Sequence, residues 1–163
     1  MKKIILFLCF FCFQVNFGQR AFVHSYYDNC NFFKEITSKE ITDCISIKKN
    51  EGGFEIIIKT PSKKDSKDFL NISLTTHNTE LQKYPIGQDA NDWLELEKGY
   101  LNTGSIVVNF HTQCAQKETY SGIDSTGFIE LAGGSPTGKI SGFFHANVNG
   151  VIITGVFKNI KIN

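Results

Sequence analysis

The chain has no excess of either charge: 17 Lys and Arg stand against 16 Asp and Glu in 163 residues. Proteins that hold phosphate backbones need a basic surplus. Nucleic acid is therefore excluded as an expected partner. Methionine occurs once and alanine is sparse, so the usual helix-building residues are scarce. No apolar run exceeds ten residues. A helix of that length spans about 15 Å, half of the roughly 30 Å hydrocarbon core of a bilayer. No stable membrane span is expected. Clustered metal ligands are missing too: His24, His77, His111 and His145 stand singly, and no pair has ligand spacing. No metal and no cofactor are expected.

The ten-residue run is Ile4 to Phe13, preceded by Met1-Lys2-Lys3 and followed by Gly18-Gln19. A basic start, a short apolar stretch and a small residue before a cut make a secretory signal peptide, cleaved here after Gly18. Cys9 and Cys12 lie inside the run without a small residue directly before either, so lipid attachment is not indicated. The expectation is a signal peptide over residues 1–18 and one domain over 19–163, secreted or periplasmic. Removing Lys2 and Lys3 leaves 15 basic residues against 16 acidic ones. The remaining 145 residues suit one domain with a real core.

Fifteen phenylalanines, five of them in the signal segment, and many β-branched residues favour strands. The clearest element is the C-terminal hairpin. Asn149-Gly150 between two alternating apolar runs predicts a two-residue type I′ loop. Counting outward pairs Val148 with Val151, Ala146 with Ile153, Phe144 with Gly155 and Gly142 with Phe157. Each large ring then faces a glycine, a pattern that a one-residue slip would destroy. A change of apolar parity between Phe157 and Ile160 asks for a bulge near Lys158-Asn159.

Upstream, Phe22 to Tyr27 reads as a strand ending at an Asp28-Asn29 turn. Phe32 to Asp43 reads as irregular or a short hairpin, with Thr37 and Glu40 spaced as a capping box. Cys44–Lys49 and Phe54–Thr60 form a hairpin around Asn50-Glu51-Gly52-Gly53, and Pro61 to Asp68 is a solvated loop. Phe69–Thr76 and Ser105–His111 are strands, and Trp93–Tyr100 is a shorter candidate. Thr112 to Ser125 reads as a long polar connection. With Gly127–Leu131, Lys139–Val148 and Val151–Ile162 the expected fold is all-β, a single-domain antiparallel sandwich or barrel of eight or nine strands.

Tyr84-Pro85-Ile86-Gly87, Gly127-Phe128-Ile129-Glu130-Leu131, Lys139 to Ala146 and Ile153 to Ile160 follow one another in an order that resembles a family. It is a family of small, uncharacterised secreted proteins and lipoproteins of Bacteroidota, whose chains close on a similar meander. The resemblance covers residues 69–163 and implies an all-β envelope domain. It brings no catalytic residues. This chain departs from it in lacking a lipidated cysteine and in its longer, cysteine-bearing start.

Cys30, Cys44 and Cys114 remain after cleavage. An oxidising envelope favours one disulfide and one leftover thiol. Three pairings are open and the sequence does not choose between them; the expectation leans to Cys30–Cys44, which closes a short loop. Its closure would be worth about 3 kcal/mol.

Three candidate sites stand against plainer readings. Gly133 to Lys139 matches most of a phosphate-binding loop, but Ile140 stands where a hydroxyl is needed and a strand follows instead of a helix. A turn is the simpler reading. Ser135 lacks the second glycine of a nucleophile elbow. Asp89, Asp92, Glu95 and Glu97 surround Trp93, which reads as a carbohydrate site with Trp93, Tyr84 and Tyr100 as stacking platforms, or as a calcium site, although the glycine and distal glutamate of a calcium loop are misplaced. The plain alternative is a solvated strand edge with Trp93 half-buried. The function expected is therefore an exported, non-enzymatic binding or structural domain, with an envelope protein or a glycan as partner. The alternatives are a small secreted hydrolase built on His111 or His145 with an acidic partner, and a ligand-holding β-barrel.

Overall fold

A computed structural model describes residues 19–60, 68–87, 103–122, 124–133 and 138–163. Eleven strands and one short helix occur in these segments: β1 (Arg20–Tyr27), β2 (Cys30–Ile36), α1 (Ile41–Cys44), β3 (Ile45–Asn50), β4 (Gly53–Lys59), β5 (Phe69–Thr76), β6 (Lys83–Pro85), β7 (Gly104–His111), β8 (Gln116–Tyr120), β9 (Thr126–Gly133), β10 (Lys139–Val148) and β11 (Val151–Lys161). They build a six-stranded sheet in the order β2-β1-β11-β10-β9-β6 and a five-stranded sheet in the order β3-β4-β5-β7-β8. All pairings are antiparallel. The sheets do not close on each other, so the fold is a sandwich and not a barrel.

Turn chemistry fixes the hairpins. Asn149 and Gly150 have φ of 51° and 89°, and Asp28 and Asn29 have 49° and 62°. Two consecutive left-handed residues are what a type I′ loop demands, and its twist matches that of the strands. From the first loop the β10–β11 register follows as the alternation predicts: Val148 with Val151, Ala146 with Ile153, Phe144 with Gly155, Gly142 with Phe157. The expected bulge is also present. The register shifts between Ile140 and Gly142, Asn159 takes a φ of 56°, and its N–H donates to Ser141 Oγ at 3.0 Å.

Inward residues of both sheets form one apolar core, in which Ile47, Ile56, Ile58, Leu70, Ile72, Leu74, Phe110, Phe144 and Phe157 are almost fully buried. Alternation along each strand explains the set, since every second residue faces the opposite sheet.

Four elements differ from the sequence expectation. Phe32 to Asp43 is neither irregular nor a hairpin: β2 continues to Ile36, and α1 follows after a turn. The strand was hidden because its polarity is crossed. Phe33 points outward, while Lys34 leans inward to a 2.8 Å ion pair with Glu40. The Thr37–Glu40 box forms by its glutamate half, with Thr37 N–H donating to Glu40 Oε2 at 3.0 Å. Thr112 to Ser125 contains a strand, β8, whose only buried residue is Thr119. Tyr84-Pro85 belongs to β6, which pairs with β9. Trp93–Tyr100 and most of Pro61 to Asp68 lie outside the described residues.

The disulfide joins Cys30 to Cys114, with Cα atoms 6.2 Å apart and a sequence separation of 84. The favoured pairing of Cys30 with Cys44 is thereby corrected: Cys44 is the free, buried cysteine. Cys30 opens β2 and Cys44 closes α1, with the whole of an extended strand and a turn between them. Cys114 lies in the turn between β7 and β8, so the bond ties one sheet to the other.

Candidate functional site on the outer face of the six-stranded sheet

Two-sheet packing leaves each sheet one outward face, and here the two faces differ in chemistry. Strand register places the outward residues of the six-stranded sheet in rows. One row runs Glu35, Phe22, Val156, Phe143, Glu130, Lys83 from β2 to β6. The next runs Phe33, His24, Thr154, His145, Phe128 and ends at Pro85, which is buried. A third carries Asn31, Tyr26, Ile152 and Asn147.

Rings thus cover a face that a soluble sheet ordinarily fills with polar groups. Phe33 is 66% exposed, and Phe22, Phe143 and Ile152 are 39%, 36% and 40% exposed. Phe128 and Phe143 pack with centroids 5.6 Å apart, and Lys83 Nζ stands 3.9 Å over the Phe128 ring. That cation–π contact fixes Phe128 at the β6 end of its row. His145 is held by Thr154, with Nδ1 and Oγ1 2.8 Å apart. The outward face of the five-stranded sheet is mostly polar, with Ser46, Asn71, Ser73, Thr75, Ser105 and Asn109; its exposed apolar side chains Val107 and Tyr120 are neighbours, and Ser73 separates them from Ile57 in the same row. Contiguous exposed apolar area of the first kind marks an interaction surface.

Of the residues expected to form a stacking site, Tyr84 is corrected. It is completely buried, facing the core from β6, and its hydroxyl is tied to Asn78 and Glu80. Burial pushes its pKa up. A ring with no exposed surface cannot stack on a ligand. Trp93, Tyr100 and the acidic residues Asp89, Asp92, Glu95 and Glu97 lie outside the described residues. Gly133 ends β9 and Lys139 begins β10, so a strand flanks the glycine-rich segment on each side; residues 134–137 lie outside the described residues.

His111, His145 and His77 make separate contacts among the described residues. His111 stacks on Phe69, with centroids 4.9 Å apart and planes 9° apart, and its Nε2 is 3.4 Å from Gln116 Nε2. His145 contacts Thr154. His77 contacts Thr103 Oγ1 at 3.0 Å, and burial lowers its pKa. Among the described residues no carboxylate is recorded within hydrogen-bond reach of His111 or His145, so a general base with an acidic orienting partner is not assembled there. Likewise no group of three or more His, Cys, Asp or Glu among them is placed to hold a metal ion. No helix among the described residues is long and apolar enough to cross a membrane.

Sequence reasoning missed the aromatic face because it assigned apolar residues inward. The available signal was adjacency. In Phe143-Phe144 and in Phe32-Phe33 two rings are consecutive, so on a strand one of each pair must point to solvent.

Comparison of the chain with protein-family models, with curated proteins and with solved structures found no match to any of them.

Proposed function

We propose that this chain is an exported, non-enzymatic β-sandwich that acts in the cell envelope by binding another molecule through the outer face of its six-stranded sheet. The observation that carries the reading is the registered display of Phe22, Phe33, Phe128 and Phe143, with Tyr26, on one outward face. Solvated rings are costly to display and give flat apolar area at low entropic cost when covered. The segment over residues 1–18 that reads as a signal peptide supports export. The Cys30–Cys114 disulfide supports an oxidising compartment. The resemblance to secreted proteins of Bacteroidota points the same way.

The test is a binding screen of the chain from Gln19 onward against envelope polysaccharides in one arm and solubilised envelope proteins in another. A Phe22→Ser, Phe143→Ser double variant should lose binding while its circular dichroism is kept, because surface substitutions change stability by only about 0.5 kcal/mol each. Ser73→Asp on the other sheet should bind normally. Equal binding by wild type and the double variant, or no bound component in either arm, would overturn the proposal.

A further inference from the structure

A sandwich with two open sheets has four edge strands, and unpaired edges template further pairing unless something blocks them. Three of the four are blocked here. Along β3 the hairpin alternation turns the backbone groups of Ile45, Ile47 and Lys49 outward, and the Ile47 carbonyl accepts the N–H of the terminal Asn163 at 2.9 Å. β6 has three residues and carries Pro85, which has no N–H to offer. On β8 the outward groups are those of Gln116, Glu118 and Tyr120, and the Tyr120 carbonyl accepts from Asn149 Nδ2 at 3.1 Å. Two copies pairing about the centre of β8 would also oppose Glu118 to itself.

Among the described residues β2 has none of these devices; its one charge of the guarding kind, Lys34, leans inward and is paired with Glu40. The two-residue Asp28-Asn29 loop makes Tyr27 and Cys30 a mutually bonded pair. Cys30, Phe32, Lys34 and Ile36 therefore bond to β1, and the N–H and C=O groups of Asn31, Phe33 and Glu35 point off the sheet. All three residues are exposed. The strand runs seven residues with no proline and no bulge.

From this we infer that β2 is the interface for a second copy of the chain, joined edge to edge in antiparallel fashion with the two-fold axis at Phe33. In that register Phe33 lies against the second copy's Phe33, and each Asn31 lies opposite the second copy's Glu35. The pairing brings no like charges together and matches every outward N–H with a C=O. Centring on Glu35 instead would oppose two carboxylates, and a one-residue shift would present β2's inward-bonded groups. The assembly is isologous and closes on itself. It fuses two six-stranded sheets into one, and it doubles the aromatic face. The inference stands on edge geometry and does not depend on the proposed binding function.

Sedimentation of residues 19–163, which hold every described strand, tests it. Wild type should show a concentration-dependent mass reaching that of two chains. Phe33→Lys places two ammonium groups at the axis and should leave a monomer with unchanged circular dichroism. A complementary pair of variants keeps the test sound if that one unfolds. Asn31→Lys faces the second copy's Glu35 and should shift dimerisation to lower concentration, whereas Asn31→Glu faces it with like charge and should shift it higher. A wild-type monomer at every concentration up to roughly 1 mM, where association is worth only about 4 kcal/mol, would overturn the inference. So would a dimer that responds equally to both Asn31 variants.

Discussion

Phe144 lies over Gly155 across the β10–β11 pair so closely that a Cβ on the glycine would stand 2.2 Å from the ring's Cζ. The same holds one step along the pair, where a Cβ on Gly142 would be 2.3 Å from Phe157 Cζ. Both rings are fully buried, so neither can swing into solvent to make room. Replacing Gly155 with Val should cost about 1–3 kcal/mol, the range for overpacking a core. Chemical denaturation measures it, and an unchanged midpoint would contradict the ring-over-glycine packing.

The second prediction concerns the cysteines. Unfolded but unreduced protein from Gln19 onward should titrate one thiol, that of Cys44, and three after reduction. Burial, with a smaller effect from the nearby Glu40 carboxylate, pushes the Cys44 thiol up, so in the native state it should react slowly with thiol reagents at neutral pH. Cys114→Ser removes a cross-link over an 84-residue separation, worth about 4.5 kcal/mol by the chain-entropy relation. Native stability that survives this change undiminished would argue against the bond.

A third prediction is electrostatic. The Lys34 ammonium, with the Thr37 N–H and hydroxyl, holds the Glu40 carboxyl at about 2, against an ordinary value of 4.5. The pKa is lowered in the folded state, so the contribution is present above the unfolded value and lost as pH falls through about 2. Carbon-detected NMR titration of the Glu40 carboxyl should follow that course. In Lys34→Ala the midpoint should move back up. A Glu40 midpoint at the ordinary value in wild type would remove the ion pair from the account.

Legibility in the sequence followed the range of the interactions. The β10–β11 hairpin could be read to the residue because its turn, alternation and ring–glycine pairs all lie within twenty-odd positions. Even the bulge at Asn159 left a mark as a change of parity. β8 was not legible because an edge strand can form with few buried residues: Thr119 alone is buried there. Lys34 inverted the expected pattern of β2 by leaning inward to Glu40. The partner of Cys30 depends on how one sheet stacks on the other, and spacing along the chain holds no record of that. Tyr84 was misjudged for a related reason. An aromatic ring beside Pro85 looks like a loop residue until the pairing of β6 with β9 turns it into the core.

The neighbour of the first strand is the last one: β1 lies between β2 and β11, with Arg20 opposite Lys158 and Tyr26 opposite Ile152. A chain that emerges from its N-terminus must therefore hold the β1–β2 hairpin unsatisfied on one side until β11 has emerged. Local contacts cannot close the six-stranded sheet early, and loop-closure entropy makes such long-range pairing slow. Closure of the β1 edge is thus timed by the arrival of β11, and a chain stopped before Val151 would leave that edge open.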